Sequence, residues 1–350
     1  MDRVARDAAI RLIAIDMDGT LLGEDGRVSP RNLAALRAAE RAGVEVVVAT
    51  GRRHSYAMRI LRPLGLPHGS ALVSSNGAVT RTLGSSAHPT EAVARAHLCH
   101  ADALWLCAQL GEFRNALVLT FDRVGPDGED TRGALVVEQL DELHSGIGRW
   151  MAANEPYIAQ IDPIEDALVP TAESADLPIQ AMLCGTIDRM ARAEARLLEH
   201  PTVFASGHPT GRSGAGRSGS GASSMTAPSS WVGREASPSP SEARHHITLH
   251  RTEYASRDLS ILDILPAGCS KGAALLSLAA ARNLDAAQVL AIGDNWNDLS
   301  MLEIAGHAVL MANAPEDLKA LARARGWTVG PSNHADGVAE AIESALAVLR

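Results

Sequence analysis

The chain has 350 residues, a formal net charge of -9 and a pI near 5.8. That length allows one large or two medium domains, and the acidic balance disfavours nucleic acid or an anionic membrane as partner. Cys99, Cys107, Cys184 and Cys269 show no CxxC spacing, which argues for a reducing compartment and against a sulfur-held structural metal.

The first apolar run, Leu12 to Ile15, is short and ends in Asp16, so neither a signal peptide nor a membrane span is expected and the cytoplasm is the expected location. A continuous run of this kind reads as a strand buried on both faces of a parallel sheet. Asp16-Met-Asp18-Gly19-Thr20 follows it directly. Two carboxylates at a strand end repel each other and are costly to desolvate, so a cation or a reaction is the reason to keep them. Gly19 lets the backbone turn sharply, and Thr20 offers a hydroxyl and an amide to an anion. An ordinary Asp-Gly turn is the simpler alternative for this motif on its own.

Ser29 caps an expected helix, Pro30 suits its first position and Gly43 stops it. Val44 to Ala49 is the next strand, ending at Thr50-Gly51-Arg52. Strand, helix, strand at this spacing is a right-handed parallel crossover, which brings Thr50 to the same sheet edge as Asp16, where doubly wound folds bind ligands. Arg52, Arg53 and His54 stand near the site edge, where they could touch substrate, and read first as solvated basic residues. A third strand, Ala71 to Val73, ends in the polar turn Ser74-Ser75-Asn76-Gly77.

From residue 83 to 264 the alternation fails. Leu117 to Phe121 and Ala134 to Val137 read as strands, and Met190 to His200 as a helix. Residues 206–242 are rich in Ser, Gly and Pro and read as a flexible insertion without secondary structure. His245-His246 matches no complete metal site and reads as exposed linker. The α/β pattern resumes near Ile261. The expected architecture is therefore a discontinuous core, 1–82 plus 265–350, built on a doubly wound, mostly parallel sheet, with an α+β domain inserted at 83–264.

Every basic residue of the chain is arginine except Lys271 and Lys319, so the two lysines are candidates for places that need a compact ammonium. Lys319 lies in an amphipathic stretch and reads as a solvated face residue. Lys271 starts a helical run, where its charge opposes the helix dipole, and that local conflict marks it as functional. Val289 to Ile292 is another buried-strand run, followed by Gly293-Asp294-Asn295-Trp296-Asn297-Asp298. Asp298 alone reads equally well as a helix N-cap. Carboxylates from distant strand ends make an oxygen-rich site for a hard cation such as Mg2+, and no His/Cys cluster nearby suggests zinc.

DMDGT at 16–20, ATGR at 49–52, SSNGA at 74–78, SKGAAL at 270–275, GDNWNDLSML at 293–302 and DGVAEAI at 336–342 occur in one order. Together they closely resemble the Cof-type branch of the haloacid-dehalogenase-like phosphatases, and Ser260 to Pro266 looks like that family's return from cap to core. The resemblance implies a Mg2+-dependent phosphomonoester hydrolase acting on a small phosphorylated metabolite, a sugar phosphate among the candidates. It implies Asp16 as the nucleophile and Asp18 as general acid and base. Thr50 and Lys271 would hold the phosphoryl oxygens, with Gly19 and Gly51 contributing backbone. Asp294 would hold Mg2+ with an Asp16 oxygen and the Asp18 backbone carbonyl, and Asn297 and Asp298 would complete or orient that shell. A phosphotransferase or mutase using the same intermediate stays open, as does a non-catalytic phospholigand-binding regulator. The chain departs from the family at Trp296, which is bulky enough to narrow the pocket or pack under the cap, at Ala312 before Asn313, and in the 206–242 insertion. That insertion falls in the cap, the part that selects the leaving group.

Overall fold

The structure, a computed structural model, describes residues 9–67, 70–83, 90–125, 127–140, 143, 147–170, 176–205, 247–254 and 257–347. The 206–242 insertion and His245-His246 lie outside the described residues.

In chain order the strands are β1 (Leu12–Asp16), β2 (Glu45–Ala49), β3 (Ala71–Ser74), β4 (Val79–Thr82), β5 (Glu91–Arg95), β6 (Leu117–Thr120), β7 (Leu135–Val137), β8 (Ile158–Gln160), β9 (Gln180–Gly185), β10 (Val203–Ala205), β11 (Ile247–Tyr254), β12 (Leu259–Pro266), β13 (Val289–Gly293), β14 (His307–Leu310) and β15 (Thr328–Val329). They form two sheets, ordered β15-β14-β13-β1-β2-β3-β4-β5 and β10-β11-β12-β9-β6-β7-β8.

In the first sheet β15 through β3 run parallel, and β4 and β5 add an antiparallel edge. Every residue of β1 is buried because helices cover both faces. Ile13 and Ile15 pack under the helices Pro30–Arg41, His54–Leu61 and Gly337–Ala347, while Leu12 and Ala14 pack under Lys271–Ala281, Leu299–Ile304 and Glu316–Ala324. Burial on both faces is what a strand without polar alternation requires. The Ser29 hydroxyl accepts from the Asn32 amide at 3.0 Å and caps the first crossover helix, as its sequence predicts.

The second sheet is mixed and two-faced. Its outer face packs under the helices His100–Leu110 and Ile187–Leu197. Its inner face, read at alternate residues such as Leu259, Ile261 and Asp263, looks onto the first sheet's carboxyl edge.

β5, at 91–95, still pairs within the first sheet, and β12 runs to Pro266 within the second. Sheet membership thus runs a few residues past the expected edges at 83 and 264, because β5 hydrogen-bonds to β4 and β12 to β9. Ion pairs tie the two layers together: Arg81 and Arg95 both hold Asp122, Arg53 pairs with Asp130, and Arg62 with Glu129.

Candidate active site

β1, β2, β3 and β13 all end at one edge, so the turns after them converge. This edge is where an open parallel sheet leaves a crevice for a ligand. Here it forms the floor of a cavity of about 850 Å3. Asp16, Asp18, Gly19, Gly51, Asp294 and Asn297 line the floor, and the inner face of the second sheet forms the roof.

The fully buried Lys271 ammonium donates to Asp16 Oδ1 at 2.5 Å and to Asp298 Oδ1 at 2.7 Å. Its helix, capped by Ser270, therefore starts on a charge that faces two carboxylates, which resolves the conflict with the helix dipole. Burial pulls the lysine pKa down, but Asp16 and Asp298 outweigh it and the net direction is up. Asp16 is held well above the usual carboxylate range, first by burial and then by Asp298, with Lys271 opposing. Burial and then Asp298 push Asp294 up to about 7, against the hydrogen bond from Thr20.

Asp16, Asp294 and Asp298 present oxygens within 4.8 Å of one another, all buried. One ammonium among three buried carboxylates leaves negative charge uncompensated, and an all-oxygen donor set suits Mg2+. The carboxylates are not equivalent. Asp298 is fully engaged: Oδ1 takes Lys271, and Oδ2 accepts from the amides of Asp294 and Asn295 at 2.9 and 3.0 Å. It makes no side-chain cap to the helix it precedes, so the N-cap alternative is not realised. Asp294 is aimed by the Thr20 hydroxyl at 2.9 Å and by Asn313 Nδ2 at 3.2 Å. Thr20 thus serves a carboxylate of the protein with its hydroxyl. Gly19, at φ +80°, abuts Asp294, and a Cβ there would collide with that carboxylate. Gly293 has no room for a Cβ against Asp298.

Asp18 lies on the cavity with its side chain about half exposed, and Arg52 grips both its oxygens, Nε donating to Oδ2 at 2.7 Å and Nη2 to Oδ1. Thr50 is buried, its hydroxyl oxygen accepting from the Arg52 amide at 3.0 Å. Gly51 lies against the Asn76 side chain. Asn297 Nδ2 donates to Asn76 Oδ1 at 3.4 Å.

Several expectations change. Arg52, Arg53 and His54 are not solvated: Arg52 is committed to Asp18, Arg53 is enclosed by Asp130 and Asn154, and His54 is buried. Lys319 is mostly covered and donates to the Ala312 carbonyl at 3.1 Å. Trp296 packs against the core and is absent from the cavity wall. Three site residues were not assigned roles from sequence. Asn313 bonds both Asp294 and the Gly19 carbonyl, Asn76 stands in left-handed backbone between floor and roof, and Asp263 reaches the cavity from the roof. Asn76 and Asn313 stand inside quoted motifs or their variants; Asp263 stands in the apolar run read as a return strand, where nothing distinguishes it.

An α/β core that gathers buried carboxylates and one ammonium at a strand edge, under an inserted two-faced cap, defines a hydrolase class. The chain belongs to the haloacid dehalogenase-like hydrolase family, whose model matches residues 13–106 and 239–342. It is 29% identical over 340 residues to phosphatase YwpJ of Bacillus subtilis (strain 168), covering 96% of this chain and 100% of that protein. It is 26% identical over 344 residues to 5-amino-6-(5-phospho-D-ribitylamino)uracil phosphatase YwtE of the same organism, covering 96% and 98%. A solved haloacid dehalogenase-like hydrolase from B. subtilis shares the fold at TM-score 0.66 and 24% identity, covering 95% of this chain and 99% of that one. The protein is an enzyme of the phosphatase class. No helix among the described residues is long and apolar enough to cross a membrane.

Proposed function

We propose that the chain is a Mg2+-dependent phosphomonoester hydrolase acting on a small phosphorylated metabolite through an aspartyl-phosphate on Asp16. The observation that carries this reading is the buried Lys271 ammonium held between Asp16 and Asp298, behind a cavity floor that Asp16 and Asp18 line. An anionic carboxylate attacks an anionic phosphate only when their charge is offset.

Lys271 and the Thr50 hydroxyl hold the phosphoryl oxygens, together with backbone at Gly19 and Gly51. The Asp16 carboxylate attacks phosphorus as the bond to the leaving oxygen breaks, and Asp18 gives that oxygen its proton. Asp18 then takes a proton from water, which attacks the aspartyl-phosphate, and the bond from phosphorus to Asp16 breaks to release phosphate. Asp16, Asp294 and the Asp18 backbone carbonyl would hold Mg2+, which when bound supplies charge neutralisation for the phosphoryl group. Asp298 orients Asp294 through its amide, and Asn297 supports the same loop. The roof excludes bulk water from the first step. B. subtilis YwtE, named for a phosphorylated ribityl compound, supports a small polyol-bearing metabolite, and sugar phosphates share that chemistry.

Phosphate release from a panel of phosphorylated metabolites, with and without Mg2+, tests the reading when wild type is compared with Asp16→Asn. Release should require both the metal and Asp16. Full Mg2+-dependent turnover by Asp16→Asn would remove Asp16 as nucleophile.

A further inference from the structure

The roof carries a carboxylate that the hydrolytic steps do not use. Asp263 lies on the inner face of β12, in line with Leu259 and Ile261, and opens onto the same cavity as Asp16. The same wall carries the apolar Leu135, Met182 and Ile261 beside the polar Thr120, Thr252 and Tyr254 and the cation Arg257. Asn76 Nδ2 donates to Asp263 Oδ2 at 3.0 Å, and Gln180 Nε2 donates to Oδ1 at 3.2 Å. No ion pair reaches Asp263 among the described residues; Lys271 is paired with Asp16 and Asp298 and acts on it only through its charge. Burial pushes its carboxyl up to about 7, with the bond from Asn76 opposing.

Asn76 fixes where this carboxylate sits relative to the reaction. The same amide touches Gly51 and receives Asn297, so Asp263 is one side chain removed from the phosphate floor. Gln180 is only 6% exposed, and its Oε1 has no hydrogen-bond partner among the described residues. A carboxylate can accept about four hydrogen bonds, and the two amides supply two. Acceptors without donors in a buried place are costly unless a ligand completes them.

We propose that Asp263, held by Asn76 and Gln180, is the group that reads the leaving alcohol, accepting a hydrogen bond from a hydroxyl or amino group close to the phosphoester. The substrate class is then a phosphate monoester whose alcohol half carries such a donor and has no second anion at that place, because a further negative charge would face Asp263. Alkyl phosphates of the same size leave the carboxylate unmatched and are selected against. This rests on the hydrolase reading and deepens it.

The test compares kcat/KM for glycerol 3-phosphate and propyl phosphate, near isosteres with and without hydroxyls, with p-nitrophenyl phosphate as a general reporter of turnover. Wild type should prefer glycerol 3-phosphate by at least about tenfold, and Asp263→Asn should bring the ratio to within about twofold, whatever happens to each absolute rate. Gln180→Leu should move the ratio in the same direction and decides the matter if the first variant does not fold. A wild-type ratio near one overturns the proposal, and so does a loss shared equally by both substrates in a folded variant. If wild type turns over p-nitrophenyl phosphate without that preference, only the role of Asp263 fails. If it releases phosphate from none of the three, the hydrolase reading fails and the proposal falls with it.

Discussion

Lys271 and Asp16 are 255 positions apart in the chain and 2.5 Å apart in the fold, both buried. The pair spans almost the whole core, from the end of β1 to the helix that follows the second sheet. With Asp298 it forms an arrangement in which one cation answers two carboxylates. Such a group is stable only while each charge keeps its partners.

Removing Lys271 should therefore cost stability as well as turnover. Lys271→Ala leaves Asp16 and Asp298 buried without a cation, and a loss of about 3–5 kcal/mol is expected in urea unfolding without metal. Lys271→Arg should not restore turnover, because a planar guanidinium does not fit a fully enclosed point-charge site. Adding Mg2+ should recover part of the stability of Lys271→Ala; equal stability of wild type and variant without metal would contradict the charge argument.

Arg52 should matter through Asp18. Its two nitrogens hold both Asp18 oxygens, while its guanidinium stacks 4.6 Å from the Tyr56 ring centroid. Arg52→Lys keeps the charge and loses the fork, so kcat/KM should fall by about tenfold or more, with Arg52→Ala lower still. Unchanged kinetics in both variants would show that the grip on Asp18 has no part in turnover.

The contact of Arg53 with Asp130 links the helix after β2 to the cap, with both side chains nearly covered. The Ser55 hydroxyl also meets the Asp130 amide, so this clasp has more than one attachment. A double-mutant cycle with Arg53→Met and Asp130→Asn should give a coupling of about 0.5–3 kcal/mol in unfolding. Strict additivity would mean that the pair does not hold the layers together.

His54 should make the fold sensitive to acid. It is 3% exposed, neither ring nitrogen has a hydrogen-bond partner among the described residues, and burial, followed by Arg81, pushes it down to about 4. Arg62 opposes protonation as well, while Asp122 favours it. The unfolded chain takes up its proton near 6.5 and the fold only near 4, so this contribution is present above 6.5 and is lost as pH falls toward 4. The stability of wild type relative to His54→Leu should therefore fall between pH 7 and pH 4, by about 3 kcal/mol at most. A difference independent of pH would exclude His54 as the cause.

What could be read from sequence was the core. β1 and β13 are short apolar runs without alternation, and that pattern requires helices on both faces. Once they are parallel neighbours, Asp16 and Asp294 must emerge at one edge, and the scarcity of lysine singled out Lys271 before any geometry. These are local signals, carried by residue type and period. The division of labour among the carboxylates was different. Whether Asp298 caps a helix or answers a lysine depends on where a helix 27 positions away begins. Whether Arg53 is solvated depends on where the cap closes, and whether Trp296 faces the cavity or the core depends on the cluster it packs against. Asp263 was the least legible. A carboxylate in a strand tells which face it shares with its neighbours at a period of two, but only the docking of the roof on the floor decides that this face meets Asn76. Residue type and spacing determined which chemistry the chain could hold; long-range packing, which sets burial and thereby the worth of each charge, decided which groups face each other.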